Sequence, residues 1–477
     1  MKSPVITISP MKPFQKNRVC YALRVPPRLL RPLGAFVVLF LFQTSLAFSA
    51  EPLPLSTNYW KDPAFLKSFN GSYRIEARIE PNVSTEERGL LVDIQELMAD
   101  GKRDAALQKI ISSKLTANSA ALTFNLGNLQ FETGANEKAI QAYENALEKY
   151  PSFRRAHRNL ALALIREDEI EKALTHLTEA IRLGDSDGTT YGLLGYCRLS
   201  REEYASALQA YRLAQVTEPN VAEWKAGIAQ CLQNLDEKAK AIALLEEVIR
   251  QRPLEASYSV LQANIHLDLG QSELAVKALE LPFRLNLLDP NATLLLADLH
   301  LRANRKTPAT NAIEAAFSGE IKPSTTFILR LITTASFRSD WPLVKDLLAK
   351  TETEKPDRAL RLAKARYLIE SDEDPTAGAE LLTTLTKEDP TDGRALLALA
   401  GHLIKTGQPA SAELLFERAT VDSTTAYQAQ VELARLHVSQ TRYADALKAV
   451  DAALALNPTE SLRTYRQALQ NTFSASE

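Results

Sequence analysis

The amino-acid sequence predicts an all-α fold, a solenoid in which helix-turn-helix repeats of fixed length are stacked. Of the 477 residues only 17 are glycine and 7% are aromatic, a composition typical of helices joined by short turns. Small residues recur with a period of about 34 residues. Prolines keep this period or its multiples, with one single-residue slip, at Pro151, Pro219, Pro253, Pro356, Pro390 and Pro458. Such a period predicts an array whose units contact only their neighbours and present a long surface to a partner.

Residues 1–50 have the pattern of a secretory signal peptide. No acidic residue precedes Glu51, and seven basic residues come before an apolar run at residues 33–42. Small residues after that run predict cleavage near residues 47–50. An uncleaved membrane anchor is the alternative, but the strongly apolar part has about 10 residues, whereas a spanning helix needs about 20. We therefore expect an exported protein, either periplasmic or secreted.

The chain that follows the leader is acidic. Without the seven leader bases, 49 Lys and Arg face 58 Asp and Glu, a formal charge of about −9. This balance argues against a nucleic-acid partner. Cys197 and Cys231 are one period apart, so they take equivalent positions on neighbouring helices. Helix axes lie about 8 to 10 Å apart, beyond the reach of a disulfide, and we expect two buried free thiols.

Residues 51–85 form an N-terminal extension with a different pattern. Apolar and charged residues alternate from Tyr73 to Glu80, which is typical of a β-strand. A single strand has no sheet to join in a helical array. It either lies across the first helices or pairs with another chain, which makes self-association possible. We favour the covering of the first helices within one chain.

The clearest repeat begins at Ala120. Gly127 and Ala139 are small enough for two antiparallel helices to approach closely, and Tyr143 fills the space between them. Gly134 suits the left-handed turn that ends the first helix, and Pro151 ends the second helix. The same residue types return at successive shifts of one period.

The period divides the chain into segments. Three prolines and the single-residue slip interrupt the pattern after residue 290, where we expect a hinge, and four apolar residues on one face predict a capping helix at the end. The expected segments are the signal peptide (1–50), the extension (51–85), a degenerate repeat (86–119), six repeats (120–323), a distorted repeat or hinge (324–358), three repeats (359–460), and the capping helix with its tail (461–477).

The order Leu-Gly, Tyr, Ala, aromatic, Ala and Pro within one unit resembles the tetratricopeptide repeat. Leu194, Gly195, Tyr204, Ala207, Tyr211, Ala214 and Pro219 carry this order in the third unit. The resemblance implies a right-handed superhelix of helix pairs, with the first helix of each pair on the concave face. It also implies a scaffold that binds a protein or peptide.

No catalytic motif stands out in the sequence. The chain has no phosphate-binding glycine loop, no HExxH, no CxxC and no GxSxG. His266, His300 and His437 fall at one repeat position without a carboxylate or cysteine to complete a metal site, so we interpret them as core histidines. We therefore expect no enzyme activity, no cofactor and no metal.

A basic cluster near Arg155 interrupts the acidic background. With first helices on the concave face, a groove would be shared by Phe124, Asn128, Phe131, Arg155, Arg158, Asn159, Leu162, Arg166 and Tyr196. The arginines would hold a carboxylate and the aromatic residues would hold apolar side chains. A solvated start of a helix is the alternative interpretation.

Two of these residues match a known site of the family. Asn128 and Asn159 correspond to asparagines of the two-carboxylate clamp in chaperone-binding tetratricopeptide proteins. Phe124 stands where that clamp has its leading lysine, so binding to the tails of cytosolic chaperones is not expected.

The preferred hypothesis is an exported, non-catalytic scaffold that binds an extended or helical segment of a cell-envelope protein. The alternative is an accessory subunit of an envelope enzyme, or of an assembly or energy-transduction complex, that presents substrate to a catalytic partner. Either role permits a membrane-associated complex.

Overall fold

The computed structural model describes residues 80–352 and 356–474. The predicted signal peptide, the predicted strand up to Ile79 and the last three residues lie outside this range. Every regular element in the described range is a helix. The 23 helices are α1 (Thr85–Ala99), α2 (Arg103–Ser112), α3 (Ala120–Glu132), α4 (Asn136–Lys149), α5 (Arg154–Arg166), α6 (Ile170–Arg182), α7 (Gly188–Ser200), α8 (Tyr204–Thr217), α9 (Ala222–Asn234), α10 (Lys238–Gln251), α11 (Ala256–Asp268), α12 (Ser272–Arg284), α13 (Pro290–Arg302), α14 (Lys306–Ser318), α15 (Thr325–Phe337), α16 (Trp341–Lys350), α17 (Arg358–Glu370), α18 (Pro375–Glu388), α19 (Gly393–Lys405), α20 (Pro409–Ala419), α21 (Ala426–Ser439), α22 (Tyr443–Leu456) and α23 (Glu460–Ser474).

In α1 to α14 and in α17 to α22, odd-numbered helices are the first helices of pairs and even-numbered helices are the second helices. In the array from α3 to α14, each first helix packs against the second helix of its own pair and that of the preceding pair. The predicted all-α solenoid is confirmed. The helices group into two compact units, which meet in sequence between Ala335 and Ser336. That boundary lies within the segment 324–358, for which the sequence predicts a hinge.

Close contact between the two helices of a pair depends on glycine. A Cβ atom added to Gly127 would lie 2.6 Å from Cε1 of Tyr143, whose ring is fully buried. Tyr211 makes the same kind of contact twice: added Cβ atoms would lie 2.8 Å from its ring at Gly195 and 2.4 Å from it at Gly227. Each tyrosine therefore takes up the space that a larger first-helix residue would need.

Left-handed residues end the first helices of successive pairs. Positive φ angles recur two residues after the end of each first helix from α3 to α13, at Gly134, Asp168, Glu202, Asp236, Gly270 and Asn304. At Asp168 the following amide, of Glu169, donates to the carbonyl of Leu164, which is the bond expected of a helix that ends in this way. Four of the six positions are not glycine, so they adopt this conformation despite a steric cost.

The prolines after residue 300 lie where helices tolerate them. Pro308 is the third residue of α14, and Pro342 is the second residue of α16. Amides in the first turn of a helix have no intrahelical acceptor, so a proline there removes no hydrogen bond. Pro323 lies before α15 begins. These prolines mark helix starts.

Cys197 and Cys231 are free and buried, as the sequence predicts. Burial raises the pKa of both thiols to about 12, which keeps them protonated and unreactive. No helix in the described ranges is both long enough and apolar enough to cross a bilayer.

Two glycine substitutions test the packing. Gly127→Ala should destabilise α3 and α4 by about 1 to 3 kcal/mol, because the new methyl group overlaps the buried Tyr143 ring. Gly401→Ala is the matched control: this glycine lies inside α19 with no atom within 4 Å of an added Cβ. It should stabilise its helix by about 0.5 to 1 kcal/mol. Native-state hydrogen exchange of the two helix pairs measures both changes, and an unchanged α3 in Gly127→Ala would contradict the contact.

Candidate functional site

The predicted groove residues lie on the first helices of three successive pairs, in the N-terminal unit. Phe124, Asn128 and Phe131 are on α3, the five residues from Arg155 to Arg166 are on α5, and Tyr196 is on α7. Contacts run between α3 and α5 along their length: Arg155 faces Phe124, Asn159 binds Asn128, and Arg166 lies over Phe131. The structure thus brings the residues of α3 and α5 together in one row.

Phe124 packs into the hydrophobic core. Its ring centroid lies 4.8 Å from that of Phe153 and 5.8 Å from that of Tyr143. The guanidinium carbon of Arg155 is 5.8 Å from the same ring. Leu162 is buried in the same core. Phe124 and Leu162 are therefore core residues that lie beneath the candidate surface. Phe124 also supports Arg155 through a cation–π contact.

The two asparagines are joined to each other inside the fold. The Tyr143 hydroxyl and the Asn159 amide both donate to Oδ1 of Asn128, each at 2.9 Å. All three side chains are buried, and burial raises the pKa of the Tyr143 hydroxyl. Because Oδ1 of Asn128 already accepts two hydrogen bonds, this network is a structural element of the pair α3–α4 and its junction with α5.

Two of the arginines bind carboxylates. Arg155 Nη2 lies 2.6 Å from Glu80 Oε2, and Arg158 Nη1 lies 2.8 Å from Asp187 Oδ2. The Arg155 side chain is 13% exposed and that of Glu80 only 4%. Hydrogen bonds between guanidinium and carboxylate are charge-assisted and strong when water is excluded. Both arginines are therefore paired with carboxylates of the chain itself, and their binding of a partner's carboxylate stays a prediction.

Arg166 lies against an aromatic ring. Its guanidinium carbon is 3.8 Å from the centroid of Phe131, and Nη1 donates to the Phe131 carbonyl at 3.5 Å. Burial lowers the pKa of this arginine, although it remains fully protonated at neutral pH. Tyr196 is half-buried and packs against the core from α7. Phe131 itself is buried, so the guanidinium group of Arg166 covers its ring.

Sequence reasoning missed the continuation of the surface onto α9. Thr189 and Glu223 lie one and two periods after Arg155, at the same repeat position. Counting forward from Arg155 by successive periods could therefore have identified both. Both are buried. The Thr189 hydroxyl and the Trp224 indole donate to Glu218 at 3.3 and 2.9 Å, and burial raises the pKa of Glu218.

The histidines in the described part of the chain do not form a metal site. No group of three His, Cys, Asp or Glu side chains converges there. His266, His300 and His437 are all buried, as the sequence predicts for core residues. Burial lowers the pKa of His300 and His437, which favours the neutral imidazole.

Comparison with known proteins identifies the repeats. One model of the tetratricopeptide repeat matches residues 94–152, 124–188, 158–222 and 227–282, and another matches residues 370–423. Superkiller protein 3 of Schizosaccharomyces pombe is 24% identical over 136 residues, which are 28% of this chain and 10% of that protein.

Three solved structures are similar to part of this chain, each with a TM-score below 0.5. A tetratricopeptide repeat protein from Parabacteroides merdae is 17% identical, with a TM-score of 0.41, covering 52% of this chain and 98% of that one. PilW, described as a type IV pilus biogenesis factor, is 16% identical, with a TM-score of 0.38, covering 44% and 97%. YrrB, described as having an unusual peptide-binding site, is 22% identical, with a TM-score of 0.33, covering 38% and 91%.

Asn128→Ala should destabilise the N-terminal unit by about 2 to 4 kcal/mol, because two buried donors lose their common acceptor. Tyr143→Phe removes one donor and leaves the bond from Asn159 to Asn128 in place, so we expect a loss of about 1 kcal/mol. Urea unfolding of the two variants and of their combination measures both effects. Equal losses in the two single variants would contradict a shared acceptor.

Proposed function

Because residues 94–222, 227–282 and 370–423 form tetratricopeptide repeats, we propose that this chain is an exported, non-catalytic scaffold. It binds a segment of another protein on the side of its first helices that faces away from the second helices. The binding surface is centred on α5 and its neighbours α3 and α7. The bound segment of the partner is extended or helical. Any catalytic activity of the complex belongs to the partner protein.

Carboxylate binding at Arg155 and Arg158 is the observation that supports this function. Both guanidinium groups hold a carboxylate within 2.8 Å, and the half-buried ring of Tyr196 lies on the next first helix, α7. A peptide with an acidic side chain beside an apolar one meets both kinds of group. Arginine in a partly desolvated position gives such a contact more strength than an exposed lysine would.

The pattern of the first 50 residues supports export. Seven basic residues, an apolar run and small residues follow one another in the order of a secretory leader. A scaffold delivered in this way meets its partner in the periplasm or outside the cell. A cell-envelope protein is therefore the partner that we propose.

Export can be tested by sequencing the N-terminus of the purified protein. We expect it to begin within residues 48–51 and to come from the exported fraction. Replacing Leu39 and Phe40 by arginine interrupts the apolar run, so that variant should stay uncleaved inside the cell. Ser3→Arg adds charge where the leader is already basic and should export normally. An uncleaved wild-type chain inside the cell would exclude export.

Binding can be tested by photocrosslinking in the host cell. A photoreactive residue at Tyr196 should give a product heavier than the chain by the mass of one partner. The matched control carries the same residue at Arg182 on α6, where the side chain is 68% exposed and contacts Glu179 of its own helix. The control should give no heavier product. The same product from both positions, or none from Tyr196, would contradict binding at this surface.

A further inference from the structure

Helix α9 is buried on every side. Eleven consecutive residues, from Ala222 to Leu232, are buried, and they make three full turns. A helix that packs on one side leaves an exposed stripe with a period of about 3.6 residues. The polar side chains of Glu223 and Gln230 are among the buried ones, with 7% and 3% of their surface exposed. Helix α5 shows the same burial over ten residues, from Ala156 to Ile165.

The packed neighbours account for three sides of α9. Second helices α8 and α10 cover one side, and first helices α7 and α11 lie at the two flanks. The remaining side faces away from the second helices. In the C-terminal unit, α19 lies between second helices in the same way, yet it buries only five of its residues. Arg394, which corresponds in repeat position to Glu223, is exposed. The burial on α9 therefore indicates a further layer on its open side.

The chain enters the described structure on this same side. Glu80 is the first described residue, and it is bound to Arg155 on α5 at 2.6 Å. Helix α1 begins five residues later, at Thr85. The described part of the chain therefore begins at the side of α5 that carries Arg155.

Residues 51–79 have the length and the chemistry to form that layer. An extended chain of this length reaches roughly 100 Å, and a helical one roughly 43 Å. Neighbouring packed helices are about 8 to 10 Å apart, so α5 to α9 lies within reach in either case. Aromatic residues are frequent in this segment, at Tyr59, Trp60, Phe65, Phe69 and Tyr73. It also carries three acidic and four basic residues, which suit a surface with arginine on α5 and Glu223 on α9.

We propose that residues 51–79 occupy the open side of α5, α7 and α9 as an internal ligand. The Glu80–Arg155 ion pair fixes one end of this ligand. A protein partner gains access to the surface by displacing it. Only this displacement rests on the proposed function, since the internal ligand can be present whether or not a partner exists.

Hydrogen exchange of the full-length chain tests the internal ligand. Amides within residues 51–79 should exchange at least about tenfold more slowly than in an unstructured peptide. Arg155→Glu places two carboxylates together and should raise exchange in this segment about tenfold or more. The double variant Glu80→Arg with Arg155→Glu restores opposite charges and should recover the protection. Arg182→Glu, on the exposed surface of α6, should leave it unchanged.

Several outcomes would overturn the internal ligand. One is exchange of residues 51–79 at the unstructured rate in the wild-type chain. Another is unchanged protection in Arg155→Glu. Amides of α5 and α9 report in the same experiment whether that variant remains folded, and Glu80→Gln, outside the helices, repeats the test without charge reversal.

Light scattering at the same concentration should show a monomer. If the chain is a dimer and the protection of residues 51–79 decreases on dilution, the segment that covers the helices comes from a second copy. That result would overturn binding within one chain. The two proposals fail separately. If Tyr196 gives no crosslinked partner, the protection of residues 51–79 is unaffected. If that protection is absent, the crosslink at Tyr196 is unaffected.

Discussion

The contact between a tyrosine ring and a first-helix glycine sets the geometry of the N-terminal unit. Tyr143 covers Gly127, and Tyr211 fits between Gly195 and Gly227 of successive pairs. Each ring is buried, so it contributes apolar area and at the same time fixes how closely two helices approach. Because Tyr211 touches two first helices, it also couples one repeat to the next. The stacking of repeats depends on this coupling.

The same distance and rotation relate each helix pair to the next. A given repeat position therefore lies on the same side of every pair. Arg155, Thr189 and Glu223 occupy one position in three successive pairs, on α5 and α7 of the proposed binding surface and on the neighbouring helix α9. Their charges differ, from basic on α5 to acidic on α9, so the surface carries a charge gradient although its backbone repeats. Specificity for a partner therefore resides in residues that depart from the repeat, while the repeat itself supplies their spacing.

Much of the fold could be predicted from the period, because small residues and prolines report steric requirements that act locally. The left-handed turn at Gly134 is one example, since glycine adopts that conformation without cost. The equivalent turns at Asp168 and Glu202 could be placed only by counting, because their side chains give no such signal. For the candidate site, the helix positions of Arg155 and Arg158 were predictable, but the burial of Phe124 was not. That burial depends on Phe153, which approaches only when α4 and α5 pack.

The sequence by itself determined the class of fold, the length of the repeat and the helices that carry the basic cluster. These properties follow from the packing between neighbouring repeats, which requires the same residue types at the same positions of each repeat. Only the tertiary structure decided which acceptors the arginines meet. Glu80 lies 75 residues before Arg155, and Asp187 lies 29 residues after Arg158. Neither separation is a multiple of the period, because an ion pair requires only that two side chains come close in space, wherever they stand in the chain.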